Sequence, residues 1–156
     1  MNKLLLSAAI TFAFATGSFA GPGHDDIMEV EVGMPGNAAH IDRTMAVTMM
    51  ETDDGQMLFE PRTLEFRKGE TVKLVITNAG EQDHEFVLDT LERNVAHKAM
   101  MEKLGDMEHD DPNAIRLEPG AQGEIVWTFS NTGTFEYACL MLGHYEAGMN
   151  GPVAVN

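Results

Sequence analysis

One cysteine near the carboxyl end of the chain sets the strongest constraint on what this sequence can fold into. Cys139 is followed by His144 and Met149 at intervals of five residues. A further histidine, His84, lies 55 residues upstream of the cysteine. A thiolate, two imidazoles and a thioether are the donors of a mononuclear copper site with three strong ligands and one weak axial sulfur. We therefore predict a fold that brings two distant segments together around one copper ion.

The first 20 residues have the pattern of a secretory signal peptide. Lys3 gives a positive start, residues 4–15 form an apolar run, and Ser18 and Ala20 are small residues at positions suited to cleavage. The run is shorter than the about 20 residues that a membrane helix needs, although an uncleaved anchor is the alternative interpretation. We predict export to the periplasm, with no stable membrane insertion after signal cleavage.

Charge and length restrict the classes of partner and the domain count. The chain has 25 acidic and 10 basic residues, a formal net charge of −15. This excess argues against binding to nucleic acid and favours a soluble protein that docks on basic partners. We expect a mobile arm over residues 21–39 and one folded domain over residues 40–156, acting as a monomer.

Export makes the lone cysteine informative. In an oxidising compartment cysteines normally pair, yet the chain has only one. Cys139 is then part of an intermolecular disulfide, a buried inert thiol or a metal-bound thiolate. The nearby His144 and Met149 favour the metal-bound thiolate, because a metal keeps the sulfur ionised and protects it from oxidation.

Short alternating segments separated by turn residues predict an all-β protein, an antiparallel sandwich of seven or eight strands. The predicted strands cover residues 41–50, 57–66, 71–77, 84–88, 124–129, 134–138 and 153–155. Residues 90–104 change to helical spacing, with Leu91, Val95 and Ala99 four residues apart. We predict one helical insertion there, with Thr90 as its N-cap.

Several tracts carry a family resemblance. They are Thr77-Asn78-Ala79-Gly80, the turn Pro119-Gly120, the aromatic strand Ile125-Val126-Trp127-Thr128-Phe129, and Thr134-Phe135-Glu136-Tyr137-Ala138-Cys139. The stretch from Thr71 to Val155 resembles a cupredoxin, which implies a Greek-key sandwich. The spacing of Cys139, His144 and Met149 is similar to the ligand loops of rusticyanin and auracyanin. The tracts at 84–86, 107–113 and 143–149 are similar to exported cupredoxins linked to bacterial copper tolerance.

The resemblance implies roles for the four donors. His84, Cys139 and His144 would be the equatorial ligands of one type 1 copper ion, and Met149 the axial ligand. One-electron carriage between Cu(I) and Cu(II) is implied, with a redox partner such as a cytochrome or an oxidase. One position departs from the family: an asparagine commonly follows the first histidine and helps hold the thiolate loop, whereas this chain has Glu85.

The twelve methionines leave a second function open. Soft thioethers and imidazoles near the helical insertion predict weak extra Cu(I) binding, and with it sequestration of surplus copper. The residues concerned are His97, Met100, Met101, Met107 and His109. Met45, Met49 and Met57 lie near predicted strands, where we expect them to fill the core.

Other classes of site are disfavoured by what the sequence lacks. Structural zinc sites generally carry more cysteines, a dinuclear copper centre needs a second cysteine, and a multicopper oxidase needs His-x-His tracts. Protein donors would occupy all four positions around the ion, so no position is left for a substrate. We therefore predict that the protein is not an enzyme.

Overall fold

The computed structural model describes residues 30–104 and 111–156. The predicted signal peptide, residues 1–20, and the first part of the predicted arm lie outside the described residues. Ten strands and one helix are present in the described part of the chain. They are β1 (Met34–Pro35), β2 (Arg43–Glu51), β3 (Met57–Glu60), β4 (Leu64–Phe66), β5 (Thr71–Asn78), β6 (His84–Asp89), α1 (Leu91–Leu104), β7 (Ala114–Leu117), β8 (Gln122–Thr128), β9 (Gly133–Ala138) and β10 (Asn150–Val155).

The strands form two five-stranded sheets, which confirms the predicted all-β cupredoxin-like sandwich. One sheet has the order β1-β8-β5-β2-β3 and the other the order β4-β10-β9-β6-β7. Most neighbours are antiparallel, but β2 pairs with β5 and β4 pairs with β10 in parallel. The predicted segment 57–66 is divided at Pro61 between β3 and β4, which belong to different sheets. This division and the short strands β1 and β7 raise the count above the predicted seven or eight.

The core lies between the inner faces of the two sheets. Along β5 buried and half-buried residues alternate, and Val72, Leu74 and Ile76 point into the core as their spacing predicted. In β6 all six residues are buried, because one face packs on the core and helix α1 contacts the strand as well. Met49 is fully buried in the core, and Met45 and Met57 pack against it.

The structure differs from the predicted mobile arm over residues 30–35. Val32 is fully buried and Val30 nearly so, and β1 pairs with β8. Gly33 permits this approach, because it has a φ of 149° and a Cβ there would collide with the carbonyl of Thr128. The sandwich therefore includes residues before the predicted domain boundary at residue 40.

Helix α1 has the predicted position, but its buried face is not the predicted apolar stripe. The Arg93 amide donates to Thr90 Oγ1 at 3.2 Å, so Thr90 is the N-cap. Asn94 and Met101 are buried, whereas Leu91 and Val95 are about half exposed. Within residues 30–104 and 111–156, no helix has both the length and the apolar character needed to cross a membrane.

The packing of Val32 generates a stability prediction. Val32→Ala removes two buried carbon groups at about 0.8 kcal/mol each, so we expect the metal-free protein to lose roughly 1.5 kcal/mol or more of unfolding free energy. Urea unfolding followed by circular dichroism measures this. Glu31→Ala, at an exposed neighbouring position, is the control with little change. Equal stability of the Val32 variant and the parent would show that this segment does not belong to the core.

Candidate metal centre

Three potential metal donors meet at one end of the sandwich. His84, Cys139 and His144 each place one donor atom within 4.8 Å of the other two. The two Nδ1 atoms of the histidines are 3.2 Å apart, and Cys139 Sγ is 3.4 Å from Nδ1 of His144. All three residues are buried. The structure thus brings together three of the four residues singled out from the sequence.

Strand pairing explains why these distant residues meet. Strands β6 and β9 are antiparallel neighbours, with Val87 opposite Ala138. The start of β6, at His84, and the residue after the end of β9, Cys139, therefore lie at the same end of the sheet. Strand β10 pairs with the other side of β9, so residues 139–149 form a loop between neighbouring strands.

Backbone hydrogen bonds hold that loop in shape. The Cys139 amide donates to the Met149 carbonyl at 3.0 Å and closes the base of the loop. Within the loop, the Met149 amide donates to the His144 carbonyl at 3.1 Å. Outside it, the Met57 amide donates to the Ala147 carbonyl at 3.1 Å and ties the loop to strand β3. His144 is consequently presented from a fixed backbone.

Met149 completes the set of residues predicted from the sequence. It is fully buried, it belongs to the core, and its backbone is bonded to that of Cys139. Its thioether is therefore on the same short loop as two of the converging donors. Its assignment as the axial ligand remains a prediction.

The loop that leads to His84 is held by a buried asparagine. Asn78 Nδ2 donates to the carbonyl oxygens of Gln82 at 2.7 Å and Leu117 at 2.9 Å. Its Oδ1 accepts from the Gly80 amide at 2.9 Å. Because every one of these bonds is made by one fully buried side chain, the position at which β6 begins is well defined.

A carboxylate that the sequence patterns did not predict contacts His84. Oε1 of Glu51, the last residue of β2, lies 2.9 Å from Nε2 of His84. An ionised carboxylate only accepts hydrogen bonds, so Nε2 carries the ring proton and Nδ1 keeps its lone pair. That lone pair faces His144. Glu51 is 33 residues from His84 in the chain, and only the tertiary structure shows the contact.

Burial and charge act in opposite directions on this pair. Burial lowers the pKa of His84, and the nearby charges of Glu51 and Asp83 offset part of that effect. Burial alone would raise the pKa of Glu51, but hydrogen bonds from the amides of Glu81 and Gln82 and the charge of His84 outweigh it. The net result is a lowered pKa for Glu51, which keeps it ionised.

Cys139 is fully buried, and its sulfur accepts hydrogen bonds from backbone amides. Burial raises the pKa of Cys139 to about 12, and amide hydrogen bonds from Glu85 and Met141 offset only part of that rise. The Glu85 amide lies 3.3 Å from Sγ. The replacement of the family's asparagine by Glu85 therefore leaves a hydrogen bond to the sulfur from the same position.

The spacing and chemistry of the donors fit a single bound ion. Two nitrogens about 2.0–2.1 Å from one metal, at roughly trigonal angles, are about 3.1–3.6 Å apart, and the two Nδ1 atoms here are 3.2 Å apart. A thiolate with two imidazoles suits copper or zinc. A metal ion also ionises a coordinating thiol, which the burial of Cys139 otherwise prevents.

The predicted extra Cu(I) surface is only partly described. Met107 and His109 lie outside the described residues. Met100 is 51% exposed whereas Met101 is buried, so neighbouring thioethers point in different directions. Among the histidine, cysteine and acidic side chains of residues 30–104 and 111–156, only the His84, Cys139 and His144 group is arranged to hold a metal.

Helix α1 braces the ligand loop next to His144. The Lys98 ammonium contacts the Glu146 carboxylate and lies 5.6 Å from the centre of the Tyr145 ring. The Tyr145 hydroxyl donates to Glu136 at 2.9 Å, and Asn94 of the helix donates to the same carboxylate at 3.0 Å. This network joins residues from three elements, so sequence spacing gives no sign of it.

The tract after Cys139 contains one buried and one exposed leucine. Leu140 is buried in a small cluster with Val87 and Ala138, on the sheet surface that helix α1 contacts. Leu142, by contrast, is 79% exposed two residues before His144. Leu140 therefore packs inside the protein, whereas Leu142 is an exposed apolar side chain close in sequence to His144.

Sequence comparison places the chain among copper proteins. Residues 46–156 match the family described as copper binding proteins, plastocyanin/azurin family. A copper-resistant cuproprotein CopI of Rubrivivax gelatinosus is 43% identical over 99% of this chain and 98% of its own length. The CopI of Pseudomonas aeruginosa is 33% identical over 99% of this chain and 97% of its own length.

Comparison with solved structures gives the same fold. The auracyanin of Roseiflexus castenholzii superimposes with a TM-score of 0.62 at 22% sequence identity. The match covers 75% of this chain and 99% of that one. The extent of the match shows that the whole auracyanin sandwich is present in this chain.

The buried thiol generates a reactivity prediction. Near pH 8 we expect Cys139 of the folded metal-free protein to react with iodoacetamide at least about 100-fold more slowly than in the urea-unfolded chain. Only the thiolate reacts, and the pKa is raised to about 12 in the folded protein but is near 8.5 for a free cysteine. The folded rate therefore keeps rising with pH after the unfolded rate has levelled off. Timed mass spectrometry measures both rates, and equal rates would contradict the buried, protonated thiol.

Proposed function

The chain belongs to the plastocyanin/azurin family of copper-binding proteins, and we propose that it is a periplasmic type 1 copper protein that carries one electron in connection with copper tolerance. One observation carries the proposal: a buried thiol and two imidazole Nδ1 atoms converge within 4.8 Å. Bound copper would supply a one-electron couple between Cu(I) and Cu(II). The rest of the function depends on how the protein holds its donors.

The proposed ligands are His84, Cys139 and His144 in the equatorial positions and Met149 in the axial position. A trigonal set with a distant thioether lies between the preferences of the two oxidation states of copper. Strand β6 fixes one ligand, and the hydrogen-bonded loop after β9 fixes the other three. Because the backbone holds all four, we expect little rearrangement to accompany gain or loss of the electron.

Electron exchange needs a contact surface near the site. The exposed Leu142 beside His144 supplies an apolar point for a transient contact. The net charge of −15 would steer a basic partner toward the protein. We propose a redox protein such as a cytochrome or an oxidase as that partner.

We propose export and a single folded domain on the evidence of the sequence pattern. The pattern of residues 1–20 supports cleavage after Ala20 and a periplasmic location. A cysteine without a partner in an exported chain fits a metal-bound thiolate. The mature protein would be a monomer whose folded domain begins by Val30, since that residue and Val32 are buried.

Copper sequestration is the second candidate function. The match to copper-resistant cuproproteins covers nearly the whole chain, which favours a role in copper tolerance. The exposed Met100 offers a thioether outside the main site, one turn of helix from His97. In this alternative the extra methionine and histidine side chains bind surplus Cu(I), and electron transfer is incidental.

A cysteine substitution tests the ligand assignment. Cys139→Ser removes the thiolate, so we expect copper-loaded protein to lose its intense visible thiolate-to-copper absorption. Met149→Leu removes only a weak donor to the oxidised metal, so the absorption stays and the reduction potential rises. Absorption spectra and spectroelectrochemical titration measure these effects.

Met100→Leu, at an exposed helix position, is the matched methionine control. A coloured Cys139→Ser variant would show that another group binds the copper.

A Cu(I) titration separates the two candidate functions. With a competing chelator present, a dedicated electron carrier binds one equivalent of Cu(I) and then stops. A sequestering protein continues to bind beyond one equivalent, and the double substitution Met100→Leu with His97→Ala reduces that further uptake. Uptake beyond one equivalent would contradict dedicated electron carriage. Saturation at one equivalent would contradict sequestration.

A further inference from the structure

The Glu51 carboxylate lies at the metal end of the sandwich and contacts His84. We propose that Glu51 is a positioning residue that fixes the ring and tautomer of His84 and, through its negative charge, favours the oxidised over the reduced copper form. The inference rests on the proposed ligation by His84. It adds to that ligation a residue that sets the reduction potential.

Glu51 connects the two sheets at the metal end. It ends β2 in one sheet, and its Oε1 accepts a hydrogen bond from the Nε2–H group of His84, which begins β6 in the other. The same carboxylate accepts from the amides of Glu81 at 2.9 Å and Gln82 at 3.0 Å. One side chain therefore fixes both the ring and the loop that precedes it.

A glycine makes room for the carboxylate. A Cβ on Gly80 would collide with Oε2 of Glu51 and would lie 2.7 Å from its Cδ. Atoms cannot coexist at such distances, so a side chain at residue 80 would displace the carboxylate from its present position. This close fit distinguishes the contact from a chance pairing of surface charges.

The chemistry of the contact between Glu51 and His84 predicts which oxidation state of copper it favours. A carboxylate that accepts a hydrogen bond from the Nε2–H group makes the imidazole a stronger donor at Nδ1, and partners of this kind tune metal affinity by about 10–100-fold. The oxidised ion carries one more positive charge than the reduced ion, so it gains more from a nearby anion. The ring is fully buried and the carboxylate is 18% exposed, so water screens the interaction only partly.

A merely structural role for Glu51 makes a different prediction. If the carboxylate only held the loop, then its loss would lower the stability of the protein and weaken both copper oxidation states alike. If it acts through His84, then the Cu(II) form is weakened more than the Cu(I) form. The ratio of the Cu(II) affinity to the Cu(I) affinity separates these roles, and its logarithm sets the reduction potential.

The test uses Glu51→Gln, which keeps the shape of the side chain and removes its charge. We expect the ratio of Cu(II) to Cu(I) affinity to fall at least about tenfold, which for a one-electron couple is a potential higher by about 59 mV. Spectroelectrochemical titration and competition with chelators for each oxidation state measure the change.

Asp83→Asn is the matched control. Asp83 precedes His84 and loses the same charge, but its carboxylate pairs with Arg116 at 3.1 Å. We expect a shift of less than about threefold from this variant, since the Asp83 carboxylate pairs with Arg116 and not with the His84 ring. Equal shifts in the two variants would overturn the proposal, because the effect would then come from the loss of any nearby negative charge and would not need the contact between Glu51 and the His84 ring.

Two further measurements keep the proposal testable if the Gln variant folds poorly. Gly80→Ala retains the acid but displaces it, so we expect a rise in potential in the same direction. In the parent Cu(I) protein, nitrogen-resolved magnetic resonance should show a slowly exchanging proton on Nε2 of His84. An unprotonated or rapidly exchanging Nε2 would overturn the proposal. Loss of colour in Cys139→Ser would support the copper site even if the role proposed for Glu51 were wrong. The two experiments therefore distinguish failure of the ligand assignment from failure of the proposal for Glu51.

Discussion

A buried thiol and two buried imidazole nitrogens meet at one end of the sandwich, and the rest of the site depends on that contact. Burial disfavours the ionised sulfur strongly, as the pKa of about 12 for Cys139 shows. A bound cation offsets that cost because it stabilises the thiolate directly. Copper binding is therefore linked to folding: an ion that binds only the folded arrangement adds to its stability. The two sheets supply the rigidity that keeps the donors close.

Several residues around the site hold the donor side chains in position. Asn78 and Glu51 fix the loop before His84 from two sides, one with amide donors and the other with carboxylate acceptors. The ligand loop is closed by its own backbone and braced from outside by Lys98 of helix α1. The helical insertion thus contributes to the site without carrying a proposed ligand. These contacts explain how a loop of eleven residues presents His144 from a fixed position.

The grouping of His84, Cys139 and His144 was predictable from sequence, because cysteine and histidine are chemically distinctive and two of these residues share one short tract. The alternation in β5 and the Thr90 cap are also local signals. Glu51 was not predictable, since it is one of 25 acidic residues and meets His84 only through tertiary structure. Residues 30–35 give no strand signal in the sequence, because the buried valines stand among acidic and glycine residues. The parallel pairing of β2 with β5 likewise depends on partners that are distant in the chain.

The central claim is that one copper ion is shared by the sulfur of Cys139 and the Nδ1 atoms of His84 and His144. Anomalous diffraction at the copper absorption edge, from crystals of the copper-loaded protein, tests this claim most directly. The account predicts one strong copper peak within bonding distance of all three atoms, with the thioether of Met149 as a longer fourth contact. A copper peak on helix α1 or elsewhere on the surface, with none between these three side chains, would contradict it.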